Sequence, residues 1–266
     1  MCLIAFRWLD HPRWQLALAA NRDEFHDRPA LPAAWWPDLA GIYGGRDVEA
    51  GGSWTAMHIG GRLAVVTNYR EGVARRGPRS RGELVAGFVA ALPDSDEAFA
   101  RDVREHAQAF AGFNLLVFDL AAEGRQPRAR YFTNRADVFG AEVTPGLHGL
   151  SNHLLDTPWP KVRRLRDRVG SATTTAEWPE ASFFAALADD APAPDSELPA
   201  TGVDHERERM LSAARIRGDG YGTRASTVVL VDHDGCVEYV ERLWTPDGPE
   251  PVRETRMRMR IATSTG

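Results

Sequence analysis

The order of apolar segments along the chain is the feature that most restricts its fold. Short apolar runs typical of strands come first, and two helical segments follow; further strands, a second helical group and three closing strands complete the chain. Chains of this kind bury the apolar face of each element by gathering helices and sheets into separate layers. The order therefore predicts an α+β fold, a four-layer αββα sandwich, formed as a single domain by residues 1–266.

The predicted strands are apolar or alternating runs bounded by turn residues. They are Cys2 to Trp8, Gln15 to Ala20, Ser53 to His58, Arg62 to Asn68, Phe113 to Asp119, Ala129 to Thr133, Val138 to Val143, Thr227 to Val231, Cys236 to Trp244 and Thr255 to Ile261. Helices are predicted to begin at Ser80, Asp94, Thr157-Pro158 and Pro179, the first three at capping residues. The stretches Asp27 to Gly52 and Asp189 to Val203 are predicted to be irregular.

Charge and composition disfavour several classes of protein. The net charge of -5 gives no general attraction to nucleic acid, so we predict no nucleic-acid partner. No run approaches the roughly 20 apolar residues that span a bilayer, and the first residues lack the basic segment of a signal peptide. The two cysteines, Cys2 and Cys236, form no disulfide framework and fit a reducing compartment. These features predict a cytoplasmic protein without a membrane span.

Metal and Schiff-base chemistry find little support in the sequence. The histidines show no His-Glu-x-x-His pattern, and the cysteines do not have zinc-site spacing. Lys161, the only lysine, lies in a charged helical segment rather than a glycine-rich loop. We therefore predict no metal site and no required cofactor.

Cys2 is the position that most strongly suggests catalysis. Removal of Met1 by a methionine aminopeptidase would leave a thiol and a free α-amine on one residue. The thiol has a pKa near 8.5 and the amine about 7.7 to 8.0, so the amine can act as the general base near neutrality. The alternative is that Cys2 is a small apolar residue at the start of a central strand. Cys236, within a late strand, is expected to have only a structural role.

A polar cluster, Asn21-Arg22-Asp23-Glu24, directly follows the second predicted strand. A hairpin partner of the Cys2 strand would bring this cluster close to the thiol. A guanidinium there favours a thiolate, and a carboxylate holds an ammonium group or relays its proton. A surface charge cluster with an internal Arg–Asp pair explains the same residues equally well.

Four other polar residues stand at the edges of apolar runs. Asn68, Asn114 and Asn152 have the amide N–H groups that stabilise an oxyanion, although asparagines at strand ends also satisfy turn backbone. Arg224 precedes the most apolar strand, where an arginine either forms a structural ion pair or binds a substrate carboxylate or carbonyl.

Taken together, these segments resemble the family named for its Asn-Arg-Asp-Glu motif, also called the transport and Golgi organisation protein 2 family. The resemblance covers almost the whole chain. Its blocks are Met1-Cys2, Asn21-Arg22-Asp23-Glu24-Phe25, Gly44-Gly45-Arg46-Asp47, Gly51-Gly52-Ser53-Trp54, Thr67-Asn68-Tyr69-Arg70, Phe113-Asn114-Leu115, Leu150-Ser151-Asn152 and Tyr221-Gly222-Thr223-Arg224. The resemblance implies the N-terminal-nucleophile αββα fold, similar to choloylglycine hydrolases and penicillin V acylases.

The resemblance also implies roles for individual residues. Cys2 would be the nucleophile, Arg22 and Asp23 its activators, Asn68 or Asn152 the oxyanion donor, and Arg224 a buttress of the thiol or substrate. The residues expected to contact the substrate are Asn21, Glu24, Arg46, Trp54, Tyr69 and Asn114. The acylases carry Arg-Asn-x-Asp here, and one residue of offset reverses the face of a strand. The roles of Arg22 and Asp23 can therefore be exchanged with Asn21 or Glu24.

Two functions from different classes follow from the resemblance. The first is a cysteine amidohydrolase that cleaves a non-peptide C–N amide bond of a small molecule. The second is a non-catalytic protein that binds or moves haem or an acyl ligand, with Trp35, Trp36, Trp54 and Tyr69 lining a cleft and His58 or Cys2 near the iron. Core or rim packing is the alternative role for these aromatic residues.

Overall fold

The computed structural model describes residues 3–72, 77–91, 96–120, 126–137, 139–174, 178–246 and 248–262. Cys2, the predicted cap Asp94 and the predicted strand residue Val138 lie outside the described residues. The strands are β1 Leu3–Trp8, β2 Trp14–Phe25, β3 Ala30–Trp35, β4 Ile42–Asp47, β5 Thr55–His58, β6 Arg62–Asn68, β7 Phe113–Asp119, β8 Arg128–Thr133, β9 Ala141–Glu142, β10 Gly146–Leu150, β11 Tyr221–Asp232, β12 Cys236–Leu243 and β13 Arg253–Arg260. The α-helices are α1 Gly82–Ala90, α2 Asp96–Glu105, α3 Pro160–Ala172, α4 Glu180–Leu187 and α5 His205–Met210.

The strands form two antiparallel sheets. The first has six strands in the order β10-β1-β2-β11-β12-β13, and the second has seven in the order β3-β4-β5-β6-β7-β8-β9. In the six-stranded sheet β2 lies between β1 and β11, with Leu3 opposite Asn21 and Thr223 opposite Asp23. This arrangement places residues near the start of the chain beside residues some 200 positions later.

Alternation along β2 shows how the layers are built. Leu16, Leu18 and Ala20 point toward the seven-stranded sheet and belong to the core between the sheets. Ala17 and Ala19, on the opposite face, pack beneath α3 and α4. Because side chains alternate between the two faces of a strand, one segment contributes to two cores.

The second sheet is covered in the same way on its outer face. Leu84, Val85 and Phe88 of α1 and Val103 of α2 form a core with apolar residues of this sheet. Helices therefore cover both outer faces, and the two sheets face each other. The predicted four-layer αββα sandwich is confirmed.

Several boundaries differ from the sequence prediction. The second strand does not end at Ala20 but continues through the polar motif to Phe25, because β11 supplies a partner along its whole length. The stretch Asp27 to Gly52 is not irregular, since it contains β3 and β4. The helix predicted at Thr157-Pro158 begins at Pro160.

β4 was not predicted as a strand because it contains Gly44 and Gly45, and glycine is uncommon in strand interiors. A Cβ atom on Gly44 would lie 2.6 Å from the carbonyl oxygen of Thr55, and one on Gly45 would lie 2.0 Å from the Trp54 ring. These glycines therefore allow a close approach of neighbouring groups within a strand. Neither β10 nor α5 was predicted, and the strand predicted from Val138 to Val143 comprises only β9. Within the described part of the chain, no helix has the length and apolar character needed to cross a membrane.

Candidate active site

Strand alternation sorts the polar motif at the end of β2 into two pairs. Asn21 faces the helices: its Nδ2 donates to the carbonyl oxygens of Leu187 (2.9 Å) and Ala214 (2.8 Å). Asp23, on the same face, accepts a hydrogen bond from Thr223 Oγ1 at 2.6 Å. Arg22 and Glu24 have the parity of the residues that face the other sheet. The two predicted activators, Arg22 and Asp23, thus lie on opposite faces of one strand.

Arg22 is a buried cation held between the sheets. Its side chain stacks on the Trp54 ring at 4.3 Å, and the whole residue is only 3% exposed. Its Nη2 atom lies 4.0 Å from Glu24 Oε2 and 3.9 Å from Asp47 Oδ2. Burial lowers the pKa of Arg22, whereas the charges of Glu24 and Asp47 raise it. A guanidinium stays protonated in such surroundings, so Arg22 brings a positive charge into the interior.

Asp47 connects this buried cation to the glycine-rich turn after β4. Its Oδ2 accepts a hydrogen bond from Arg28 Nε at 2.7 Å, and its Oδ1 accepts from the backbone N–H groups of Glu49 and Ala50. Burial acts to raise the pKa of Asp47, but the hydrogen bonds from Arg28 and Ala50 and the charge of Arg22 hold it below its usual value. Asp47 is therefore ionised near neutrality.

A cavity of about 550 Å³ opens beside Glu24. Its walls come from the ends of β2 and β6, the start of β11, α5, and the loops next to β10 and α1. Among the predicted site residues, those that line it are Glu24, Asn68, Tyr69 and Asn152. A volume of this size suits a small-molecule ligand. The mouth of the sandwich thus offers a ligand site next to the buried Arg22.

The three predicted oxyanion candidates differ in their hydrogen bonds. Asn114 is fully buried, donates to Thr67, Ser151 and His153, and accepts from the Tyr131 hydroxyl. Asn152 donates to the Asn68 carbonyl oxygen and accepts from Arg70 Nη2. The Asn68 side chain makes no hydrogen bond to any other residue in the described ranges, and it lines the cavity. Its amide is therefore available to a ligand.

Two other predicted residues, Arg46 and Arg224, are not among the described residues that line the cavity. Arg46 forms a bidentate ion pair with Asp38 (2.7 and 2.8 Å) and stacks on Trp36. Arg224 Nη1 donates to the carbonyl oxygens of Phe25 (2.9 Å) and His26 (2.8 Å), so it holds the chain where β2 ends. Their predicted contacts with substrate or thiol stay predictions. Cys2, the predicted nucleophile, lies outside the described residues.

One buried acid near the site was not predicted from the sequence. Glu241 lies in β12 with no exposed surface, and its Oε1 accepts a hydrogen bond from the Ala33 backbone N–H at 2.7 Å. Burial raises the pKa of Glu241 to about 7, although the Ala33 hydrogen bond and the charge of Arg22 act to lower it. The available signal was the presence of two glutamates, Glu238 and Glu241, within the predicted strand Cys236 to Trp244. The importance of Glu241 depends on β3, which was not predicted.

The described residues include no group of three or more side chains arranged to hold a metal ion. Of the four aromatic residues considered for a haem cleft, Tyr69 lines the cavity and Trp54 lies under Arg22. His58 is on β5 beside a hairpin, where its Nδ1 accepts from the Gly60 N–H at 3.0 Å. No histidine or cysteine is among the described lining residues, so this part of the cavity provides no imidazole or thiolate ligand for haem iron.

Two facing antiparallel sheets, each with helices on its outer side, define a protein with a four-layer αββα fold. The family model described as Transport and Golgi organisation 2 matches residues 1–246, and the chain belongs to this family.

Relatives from two mammals share most of the sequence length. The chain is 37% identical over 268 residues to the Bos taurus Transport and Golgi organization protein 2 homolog, with 95% of this chain and 96% of the relative covered. It is 35% identical over 257 residues to the Homo sapiens homolog, with 91% and 92% covered.

Similar solved structures have much lower sequence identity. One is a Caenorhabditis elegans ortholog of N-acylethanolamine-hydrolyzing acid amidase, with a TM-score of 0.42, 11% identity, and 86% of this chain and 92% of that chain covered. Another is a variant of conjugated bile acid hydrolase from Clostridium perfringens, with a TM-score of 0.46, 8% identity, and 98% and 99% covered.

Proposed function

We propose that this protein is a cysteine hydrolase that cleaves a C–N amide bond of a small molecule, with Cys2 as the nucleophile after removal of Met1. The observation that supports this most is the uncommitted Asn68 amide, which lines a cavity of about 550 Å³ next to Glu24 and the buried Arg22. A cation and an amide donor are the groups that thiolate attack on an amide requires.

The proposed nucleophile, Cys2, is next in sequence to a residue whose strand pairing is known. Cys2 precedes Leu3, which lies opposite Asn21 in the β1–β2 pair. Cys2 also has the sequence parity of Ile4 and Phe6, which belong to the core between the sheets. In this proposal the thiol acts beside Arg22, whose charge favours the thiolate.

The proposed reaction has two halves. The thiolate attacks the amide carbonyl carbon while the Asn68 N–H donates to the developing oxyanion. The α-amine, which has taken the thiol proton, gives that proton to the leaving amine as the C–N bond breaks. A water molecule, deprotonated by the α-amine, then attacks the acyl thioester, releases a carboxylic acid and restores the thiol.

In this mechanism a carboxylate holds the protonated α-amine. Two carboxylates, Asp23 and Glu24, are candidates for this role, and they lie on opposite faces of β2. Asp23 is buried on the helix face of β2, and Glu24 lines the cavity. Replacement of each by its amide, Asp23→Asn and Glu24→Gln, separates the two assignments. The carboxylate that holds the ammonium is the one whose loss shifts the pH profile of thiol alkylation.

The first test is the mass and reactivity of the terminal residue. We expect intact-protein mass spectrometry to show loss of Met1, and brief iodoacetamide treatment at neutral pH to add one label in a Cys236→Ala background. This background is necessary because Cys236 is exposed. The label should disappear in Cys2→Ala, and a screen of small-molecule amides would follow.

Retention of Met1 together with an unreactive Cys2 would contradict the proposed hydrolase. The function to test next would then be ligand binding. A haem titration followed by Soret absorbance, and a titration with a fluorescent acyl probe, would decide between the two ligand classes.

A further inference from the structure

The cavity contains more arginine than carboxylate. Among the described lining residues are five arginines, Arg28, Arg70, Arg79, Arg81 and Arg207, and three glutamates, Glu24, Glu49 and Glu71. These eight side chains alone carry a formal charge of plus two, five minus three, before the acids just outside the lining are counted. In a site that carries both signs of charge, a cation that no acid pairs is the group that attracts an anionic ligand.

The glutamates in the lining are already matched by arginines. Glu24 Oε2 lies 3.9 Å from Arg28 Nε, and Glu49 Oε2 lies 3.6 Å from Arg28 Nη1. Glu71 binds Arg135, which is not among the described lining residues, at 2.6 Å. The negative charges of the lining are therefore directed at nearby guanidinium groups rather than at a ligand.

Arg70 and Arg79 are also neutralised by neighbouring acids. Arg70 Nη1 lies 2.9 Å from Glu208 Oε2, and Arg79 Nε lies 2.9 Å from Glu83 Oε2. Arg81 Nη1 donates to the Gly112 carbonyl oxygen at 3.3 Å.

Arg207 differs from these residues. Its side chain is exposed on α5, and no carboxylate oxygen of the described residues lies within 4.0 Å of its guanidinium. Its backbone N–H is bound by the cap residue Asp204, so the position of the helix does not depend on the arginine side chain. The Arg207 charge is thus available at the mouth of the cavity.

The cavity also has an apolar wall. Phe25 is 51% exposed and packs edge-to-face on Tyr221, with ring centroids 5.2 Å apart. Leu211 and Ile216 line the cavity as well. An exposed aromatic ring at a cavity rim favours contact with an apolar part of a ligand.

We propose that the cavity binds amphiphilic amides that carry a carboxylate or phosphate group, with the anion at Arg207 and the apolar part on Phe25 and Tyr221. That the ligand is an amide rests on the proposed hydrolase function. That it carries an anionic group rests on the cavity alone. Binding in the inactive Cys2→Ala protein therefore tests it separately from hydrolysis.

The test compares three probes with the same acyl chain and similar spacers. N-decanoyl-β-alanine carries a carboxylate, N-decanoyl-O-phosphoethanolamine carries a phosphate, and N-decanoyl-β-alaninamide is neutral. Isothermal titration into Cys2→Ala protein should show at least one anionic probe binding about 10-fold more tightly than the neutral one, with a preference that shrinks as salt rises. Which anionic probe binds better identifies the group.

A matched pair of variants locates the anion. Arg207→Gln should remove most of the preference, about 5-fold or more, by deleting the available cavity charge. Arg209→Gln removes the same charge from the same helix, but Arg209 lies 3.4 Å from Asp195 and is not among the described lining residues. This control should keep the preference.

The outcomes distinguish the anion site from the proposed hydrolase activity. Equal binding of charged and neutral probes, binding of neither, or equal losses in Arg207→Gln and Arg209→Gln would overturn the anion site. An anion preference that depends on Arg207, in a wild-type protein that hydrolyses no probe, would support the site while counting against the proposed hydrolase.

Discussion

Asn68 and Asn114 are the same residue type on neighbouring strands, yet their side chains have different surroundings. β6 and β7 are paired, with Asn68 opposite Phe113 and Thr67 opposite Asn114. Asn114 points into the interior and uses both ends of its amide for protein contacts, whereas the Asn68 amide faces the cavity. A buried polar group without a hydrogen-bond partner is destabilising. The buried Asn114 amide therefore bonds to the loop after β10, whereas the Asn68 amide remains available to a ligand.

Substitution separates these two roles. Asn68→Ala should lower kcat for the amide found in the substrate screen by about 100-fold, because an oxyanion donor is lost. It should change unfolding free energy by less than about 0.5 kcal/mol. Alkylation of Cys2, which forms no oxyanion, should keep its wild-type rate.

Asn114→Ala is the matched comparison for stability. It should cost about 1–3 kcal/mol in urea unfolding, because several buried polar groups lose their partner. Equal stability losses in the two variants, or an Asn68→Ala enzyme with wild-type kcat, would contradict the assignment.

Glu241 makes stability depend on pH in an unusual direction. Its folded pKa of about 7 is raised above the ordinary value of 4.5, so the folded state binds the proton more tightly than the unfolded chain. This contribution is fully present below the unfolded pKa and is lost as pH rises through the folded one. The window therefore extends from about pH 4.5 to pH 7, with a loss of about 3 kcal/mol.

Urea unfolding of wild type and Glu241→Gln at pH 5 and pH 7.5 tests this linkage. The variant has no carboxyl to ionise, so its stability relative to wild type should improve between the two pH values. A difference that stays constant across this range would show that Glu241 does not titrate there.

At the scale of elements, the glycines of β4 have a consequence for the active site. A side chain at Gly45 would collide with the Trp54 ring, on which Arg22 is stacked. Gly45→Ala should therefore destabilise the fold by about 2–4 kcal/mol and slow Cys2 alkylation by displacing Arg22. Circular dichroism melting and labelling kinetics measure the two effects.

Gly87 in α1 provides the control for this substitution. The nearest atom to an added Cβ there is 3.9 Å away, on the Phe99 ring, and the residue is exposed. Gly87→Ala should raise stability by about 0.5–1 kcal/mol through helix propensity and leave alkylation unchanged. A melting temperature for Gly45→Ala at or above that of Gly87→Ala would refute the packing argument.

Elements with a local signal could be predicted from the sequence. The bounds of β6 and β7 match the prediction because apolar residues in these strands are bounded by turns or polar residues. The extension of β2 through Arg22 and Asp23 could not be predicted in this way, since their burial depends on pairing with β11. The hydrogen bond between Ala33 and Glu241, 208 positions apart, is equally invisible to local patterns.

Part of the candidate site could also be predicted from the sequence. Polar residues at strand ends pointed to Glu24, Asn68 and Asn152, which the fold brings to one cavity. Asp47 was noticed only as part of a glycine-rich block, and its contacts with Arg22 and Arg28 arise from the packing of β4 against the other sheet. The charge balance of the cavity depends on α5, a helix too short to give a clear sequence signal.

At the scale of the whole molecule, the central position of β2 and β11 ties the two ends of the sequence together. Asp23 and Thr223 share a hydrogen bond across 200 positions, and the β2–β11 pair runs from Tyr221 to Asp232 along the later strand. Pairing of such distant segments closes a very long loop, which slows folding.

The same pairing sets a time order during synthesis. A ribosome makes the N-terminal segment first, so β2 emerges with one edge uncovered long before β11 exists. Thr223, which binds Asp23, is made 200 positions after its partner, and Tyr221, which lines the cavity, is made just before it. A nascent chain therefore has the polar motif of β2 well before the pocket can assemble, because the pocket requires the start of β11.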